Sequence, residues 1–281
     1  MQRQNIFEIL DSKYKISKEV GKIIKLFCDL RFQTGYDSVS SIEQIIDNSC
    51  LVYWKQRKSY LNCQEIREDL EINYQLLIPE RMSKDSIITL MEYFLNMLNL
   101  LATKNNYNYF QLNQGYFILK QNIMLLLDHL NLEQLIVEQE EKTLIIPKNP
   151  AATAVAEIST KGTALAILKY NHASLKGDLE SKRSLLLSIY NEYEPLLKTP
   201  LEQYKDFYKK VKQLYNNLNI RHNNTTKKDN KNTVINLNGK ELEKWYDELY
   251  QLLLFCVLIN DNIKRKKEVE EFLKTIKGAK E

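Results

Sequence analysis

Glycine and proline are scarce, with seven and five among 281 residues. Tight turns and chain reversals rely on these residues, so their shortage argues against a β-rich fold and for long helices. Cysteine is equally sparse. Cys28, Cys50, Cys63 and Cys256 lie far apart with neither CxxC nor Cys/His spacing, which argues against a disulfide framework and a structural zinc site. No apolar leader opens the chain, and no run approaches the ~20 apolar residues of a membrane span. A cytoplasmic protein with no membrane partner is expected. Glycine-rich phosphate loops, GxSxG and HExxH are also missing, so no metal or cofactor is expected.

Charge is plentiful but uneven. Residues 1–140 carry 15 Lys/Arg and 18 Asp/Glu, a net of −3, whereas residues 141–281 carry 25 and 18, a net of +7. A basic excess in one half is the electrostatic footprint of nucleic-acid binding, and equally of a solvated helical surface.

Apolar periodicity gives an all-α fold. In the first half, helices are expected over 17–32, from Ser41 as N-cap, over 85–103 and over 116–132. The character changes near Glu138, where a boundary separates a helical N-terminal domain (1–138) from a four-helix bundle (139–281). Thr143 to Pro147 reads as a short strand, with Thr233 to Leu237 as its partner in a two-stranded ribbon. Four helical blocks follow, over 151–170 with a break at Gly162, 177–197, 200–219 and 239–277. Asn238 and Glu241 form the capping box of the last.

The chemistry-capable side chains crowd into Asn219-Ile220-Arg221-His222-Asn223-Asn224. Tyr204, Tyr208, Val211, Tyr215 and Leu218 recur at helical spacing, and one further turn would set His222 on that stripe beside Arg221. Arg221 offers a permanent fork for phosphate, and His222 titrates near neutrality. Together they suffice for metal-free RNA cleavage, one group moving protons and the other steadying phosphorane charge. Asn223, Asn224, Lys227 and Lys228 would hold the substrate. A second cluster, Tyr170-Asn171-His172, also ends a helix. Loops of an antiparallel bundle alternate ends, which would bring Asn171 and His172 to the Arg221 end. For both clusters a plain helix-capping role stands beside the functional one. His129 reads as a core-edge residue.

These motifs, with the strand at 143–147 and the helix opening Leu242-Glu243-Lys244-Trp245-Tyr246-Asp247, give the second half its likeness. Over about residues 140–275 it resembles the HEPN superfamily of helical domains, and its abortive-infection members in prokaryotic toxin and phage-defence systems. The catalytic signature of that family is an Arg with a His a short distance downstream. Arg221 matches it. The His positions hold Thr226, Lys227 and Lys228, and the adjacent His222 is the available substitute. The resemblance implies an RNA-cleaving effector, homodimeric, with a partner protein or antitoxin. The alternative is a non-catalytic helical interaction protein that senses a partner protein or nucleic acid.

Overall fold

A computed structural model describes residues 13–33, 38–104, 114–198, 202–220 and 237–278. The fold is all-α. Among the described residues there are ten α-helices and two small antiparallel ribbons. The chain divides into two compact units, Met1–Lys148 and Asn149–Glu281. The division falls after a β-hairpin, whereas a boundary near 138 would cut that hairpin in two.

The first unit runs α1 (Ile16–Asp29), β1 (Arg31–Gln33), β2 (Val39–Ser41), α2 (Ile42–Ile45), α3 (Cys63–Asp69), α4 (Lys84–Lys104), α5 (Gln114–His129), β3 (Leu132–Val137) and β4 (Lys142–Pro147). Its core is built on α4, which buries Leu90, Met91, Phe94, Leu95, Met97, Leu98 and Leu101. Phe94 stacks on Phe27 of α1 with ring centroids 3.9 Å apart. By length and composition α4 is apolar enough to cross a membrane, contrary to the reading of the sequence. It is mostly buried inside this unit, as a core helix would be. Ser41 caps α2 as expected, accepting from the Gln44 N–H while the Gln44 side chain accepts from the Ser41 N–H. Ser41→Ala is expected to cost about 1 kcal/mol, read as a lowered urea midpoint. An unchanged midpoint would show that this cap contributes nothing.

The strand at 143–147 exists, but its partner differs from the one expected. β4 pairs with β3 in a six-residue antiparallel register, Leu132 opposite Pro147 and Val137 opposite Lys142. Residues 233–236 lie outside the described residues. The chain leaves α5 through Asn131, at φ +56°, and turns between the strands through Glu141, at φ +49°. Non-glycine residues do this work, so no Gly or Asn-Gly signal marks the hairpin. The outer edge of β4 is covered by α4. The Asn96 side chain bonds both the N–H and the C=O of Thr143 at 2.8 Å, and Glu92 accepts from the Ile145 N–H at 2.8 Å. These side chains replace the third strand that a bare edge would recruit.

The second unit holds α6 (Pro150–Glu157), α7 (Lys161–Lys169), α8 (Leu179–Lys198), α9 (Lys205–Asn217) and α10 (Gly239–Gly278). The break between α6 and α7 falls at 158–160, before Gly162, which sits inside α7. Asn149 caps α6 and Asn238 caps α10, the latter with the expected Glu241 reciprocal bond. The core is rich in tyrosine. Tyr190 of α8 and Tyr215 of α9 stack at 3.4 Å, and Tyr170 and Tyr250 stack at 4.2 Å. From Lys264 to Ile276 every side chain of α10 is exposed, including Phe272 at 64 %.

Candidate functional site

Four chain ends meet at one end of the bundle: the close of α7, the start of α8, the close of α9 and the start of α10. The contacts that fix them are specific. The Arg183 Nε in the first turns of α8 donates to the Ile220 carbonyl at 3.3 Å. Gly177, in the α7–α8 loop, donates its N–H to Glu243 of α10 at 2.8 Å. That glycine sits at φ +81°, a conformation that disfavours side chains. The loop bearing Asn171 and His172 therefore shares an end with Ile220, the last described residue before Arg221.

The helix α9 stops sooner than its stripe suggested. It closes at Asn217, Leu218 is its cap, and Asn219 turns left-handed at φ +53°. The helix therefore does not run on through Asn219 as its stripe suggested. Leu218 and Ile220 are buried, so the chain is anchored up to that point. Arg221, His222, Asn223, Asn224, Lys227 and Lys228 lie outside the described residues.

His172 is half-buried and serves as a local cap. Its Nδ1 accepts from the Ser174 N–H at 3.2 Å and lies 2.7 Å from the Ser174 hydroxyl. An accepting Nδ1 leaves the proton of the neutral ring on Nε2. Asn171 donates to the Tyr250 hydroxyl at 3.3 Å, and that hydroxyl donates to the Ile167 carbonyl at 2.9 Å. His129, in the first unit, is exposed and stacks on Tyr14 at 3.7 Å.

Sequence reasoning missed the centre of this end. Lys182 is only 7 % exposed and bonds Asp247 and Glu243, each at 2.8 Å. Its ammonium lies 5.5 Å from the Tyr170 ring centre, and the Tyr170 hydroxyl donates to the same Asp247 oxygen at 3.1 Å. Burial works to lower the Lys182 pKa, but the bonds to the two carboxylates outweigh it and raise it. Glu243 is held below its ordinary value by the Gly177 N–H and by Lys182. Burial and the Asp247 charge push the Tyr170 hydroxyl up, so it stays protonated and donates. Asp247 is half-exposed at its side chain and presents a carboxylate at the bundle end. Lys182 is committed to its two acids, so any phosphate bound at this end must be met by other cations. A 61-residue gap separates Lys182 from Glu243, and no spacing rule links them.

Burial also pushes the Cys256 thiol up to about 12, which makes it an inert core residue. Among the described residues no group of three or more His, Cys, Asp or Glu side chains has the arrangement of a metal site. No family model, curated protein or solved structure matches this chain significantly.

Proposed function

We propose that this chain is a cytoplasmic prokaryotic effector of the antiviral-defence or toxin type, HEPN-like in its second half. It binds RNA at the loop end of its bundle and cleaves it without metal. Arg221 holds the phosphate, His222 moves protons, and Asn223, Asn224, Lys227 and Lys228 bind substrate. His172 and Asn171 flank them, His172 acting as a donor through Nε2. The protein works as a homodimer under control of a partner protein or antitoxin.

One observation carries the reading. The Arg183–Ile220 bond and the Gly177–Glu243 bond bring the His172 loop and the approach to Arg221 to the same end. The charge of the second half agrees, with 25 basic against 18 acidic residues after position 140.

The test is cleavage of total RNA by purified protein in EDTA. Wild type is expected to cut, and Arg221→Ala and His222→Ala are each expected to lose cutting while circular dichroism stays unchanged. Folded wild-type protein that leaves RNA intact sinks the enzyme. A non-catalytic helical interaction protein is favoured by a different observation: His172 serves as a cap and Lys182 is neutralised by two acids, both structural tasks.

A further inference from the structure

The helix α9 carries four lysines against one aspartate, and their placement along it is regular. Its buried seam is Tyr208, Val211, Tyr215 and Leu218. Lys205, Lys209, Lys212 and Asn216 follow one another at spacings of four, three and four, which sets them in a single line along one shoulder of the helix. At 1.5 Å per residue the line is roughly 16 Å long. It runs toward Ile220, at the bundle end where the Arg183 bond fixes the chain. Lys205 and Lys209 are exposed. Lys212 and Asn216 are half-buried, as for side chains that lay their stems on the helix and hold their polar heads in water.

Two of the three charges on this line, Lys209 and Lys212, are left without an acidic partner among the described residues. Arg183, Lys198 and Arg265 on the neighbouring helices each pair with an acid on their own helix, and Lys182 pairs across to α10. Of the lysines on α9 only Lys205 has a partner, the exposed Glu202 just ahead of the helix. Among the described residues Lys209, Lys210 and Lys212 have none. Like charges at i, i+3 and i, i+4 destabilise a helix by a few tenths of a kcal/mol per pair. A stack of lysines without acids therefore costs the free protein some stability, and an anion laid along it removes that cost.

We propose that Lys205, Lys209, Lys212 and Asn216 form a phosphate track that leads a single RNA strand along α9 to the bundle end. The inference rests on the RNA-binding reading above and adds to it where the strand approaches. The contacts are to phosphates, so the track guides without reading sequence. Lysine suits this task as a mobile point charge, and Asn216 ends the line with an amide that donates without adding charge.

The experiment measures fluorescence anisotropy of a labelled oligouridylate across a salt series. Three proteins are compared: wild type, Lys205→Gln/Lys209→Gln/Lys212→Gln, and a charge-matched control, Lys264→Gln/Lys266→Gln/Lys267→Gln on α10. Each phosphate contact on a single strand contributes about 0.7 to the slope of log affinity against log salt. Losing three contacts should flatten the slope by about 2 and weaken binding roughly hundred-fold at 0.1 M salt. The control should keep the wild-type slope. If wild type binds and the track variant keeps its slope, or the control loses as much, the track is overturned while RNA binding stands. Displacement of the strand by an equal concentration of duplex DNA overturns the single-strand assignment. Wild type that fails to bind overturns the RNA reading and the track with it.

Discussion

Tyr215→Ala is expected to destabilise the second unit by about 4 kcal/mol, the usual cost of removing a large aromatic side chain from a packed core. Tyr215 is fully buried on α9 and stacks on Tyr190 of α8 at 3.4 Å, with only 5° between the rings. Alanine would remove both the ring contact and the apolar area, and the stacked pair alone is worth about 1 kcal/mol beyond burial. Of the side chains that would have to close the void, Tyr190 is held on α8, and Val211 and Leu218 are held on α9 and its cap, all within the same core. Collapse is then only partial, and the cavity contribution survives. Hydrogen exchange followed by mass spectrometry reads the loss as faster exchange across α8, α9 and α10. Tyr53→Ala serves as the control. Tyr53 is 67 % exposed, so its loss should fall within about 0.5 kcal/mol. Equal effects from the two substitutions would contradict the packing described for the bundle.

Lys182→Ala is expected to cost about 2 kcal/mol at neutral pH. Breaking a fully buried ion pair costs about 3–5 kcal/mol because the abandoned charge stays desolvated. Here the figure is reduced, since the Asp247 side chain is half-exposed and water can screen it. The pH dependence follows from the two shifts. Glu243 has a lowered folded pKa, so its contribution is complete above its ordinary value of 4.5 and is lost as pH falls through the folded value. Lys182 has a raised folded pKa, so its contribution is complete below 10.5 and is lost as pH rises through the folded value. Urea midpoints of wild type and Lys182→Ala should differ most between those limits, and the gap should narrow in acid. A gap that stays constant down to the acid limit would mean that the lysine acts through its stem and not its charge.

Much of the fold could be read from residue spacing. The stripe of Tyr208, Val211, Tyr215 and Leu218 marks α9 because buried positions on a helix recur every three or four residues. Ser41 and Asn238 announce their helices because a short polar side chain is what the open N–H groups there require. The β3–β4 hairpin was harder to see. Its connections use Asn131 and Glu141 in left-handed conformations, and Leu132 to Val137 continues the apolar pattern of α5 without a glycine or proline to interrupt it. Six residues ending in Leu135-Ile136-Val137 were the available signal, since β-branched runs favour strands. For the candidate site, loop alternation in a bundle agrees with the placing of the His172 loop and Ile220 at one end, whereas Arg221 to Asn224 lie outside the described residues. The Lys182 cluster was not legible, because partners 61 and 65 residues apart are chosen by helix packing and not by local pattern. Asp247 stands out in the sequence only as part of the opening of the last helix; in the fold it is bonded to Lys182 and Tyr170.

The exposed tail of α10 has a consequence for how that helix melts. Tyr246, Leu249, Tyr250, Leu253 and Val257 lie in the core, whereas from Lys264 onward the helix is held by its own backbone bonds and a few local pairs such as Arg265 with Asp261. An unsupported helix of that length is marginal in water. A single continuous rod thus contains two regimes of opening, a slow one set by the unfolding of the whole unit and a fast one confined to the exposed turns beyond Lys264, which halts where the buried residues begin.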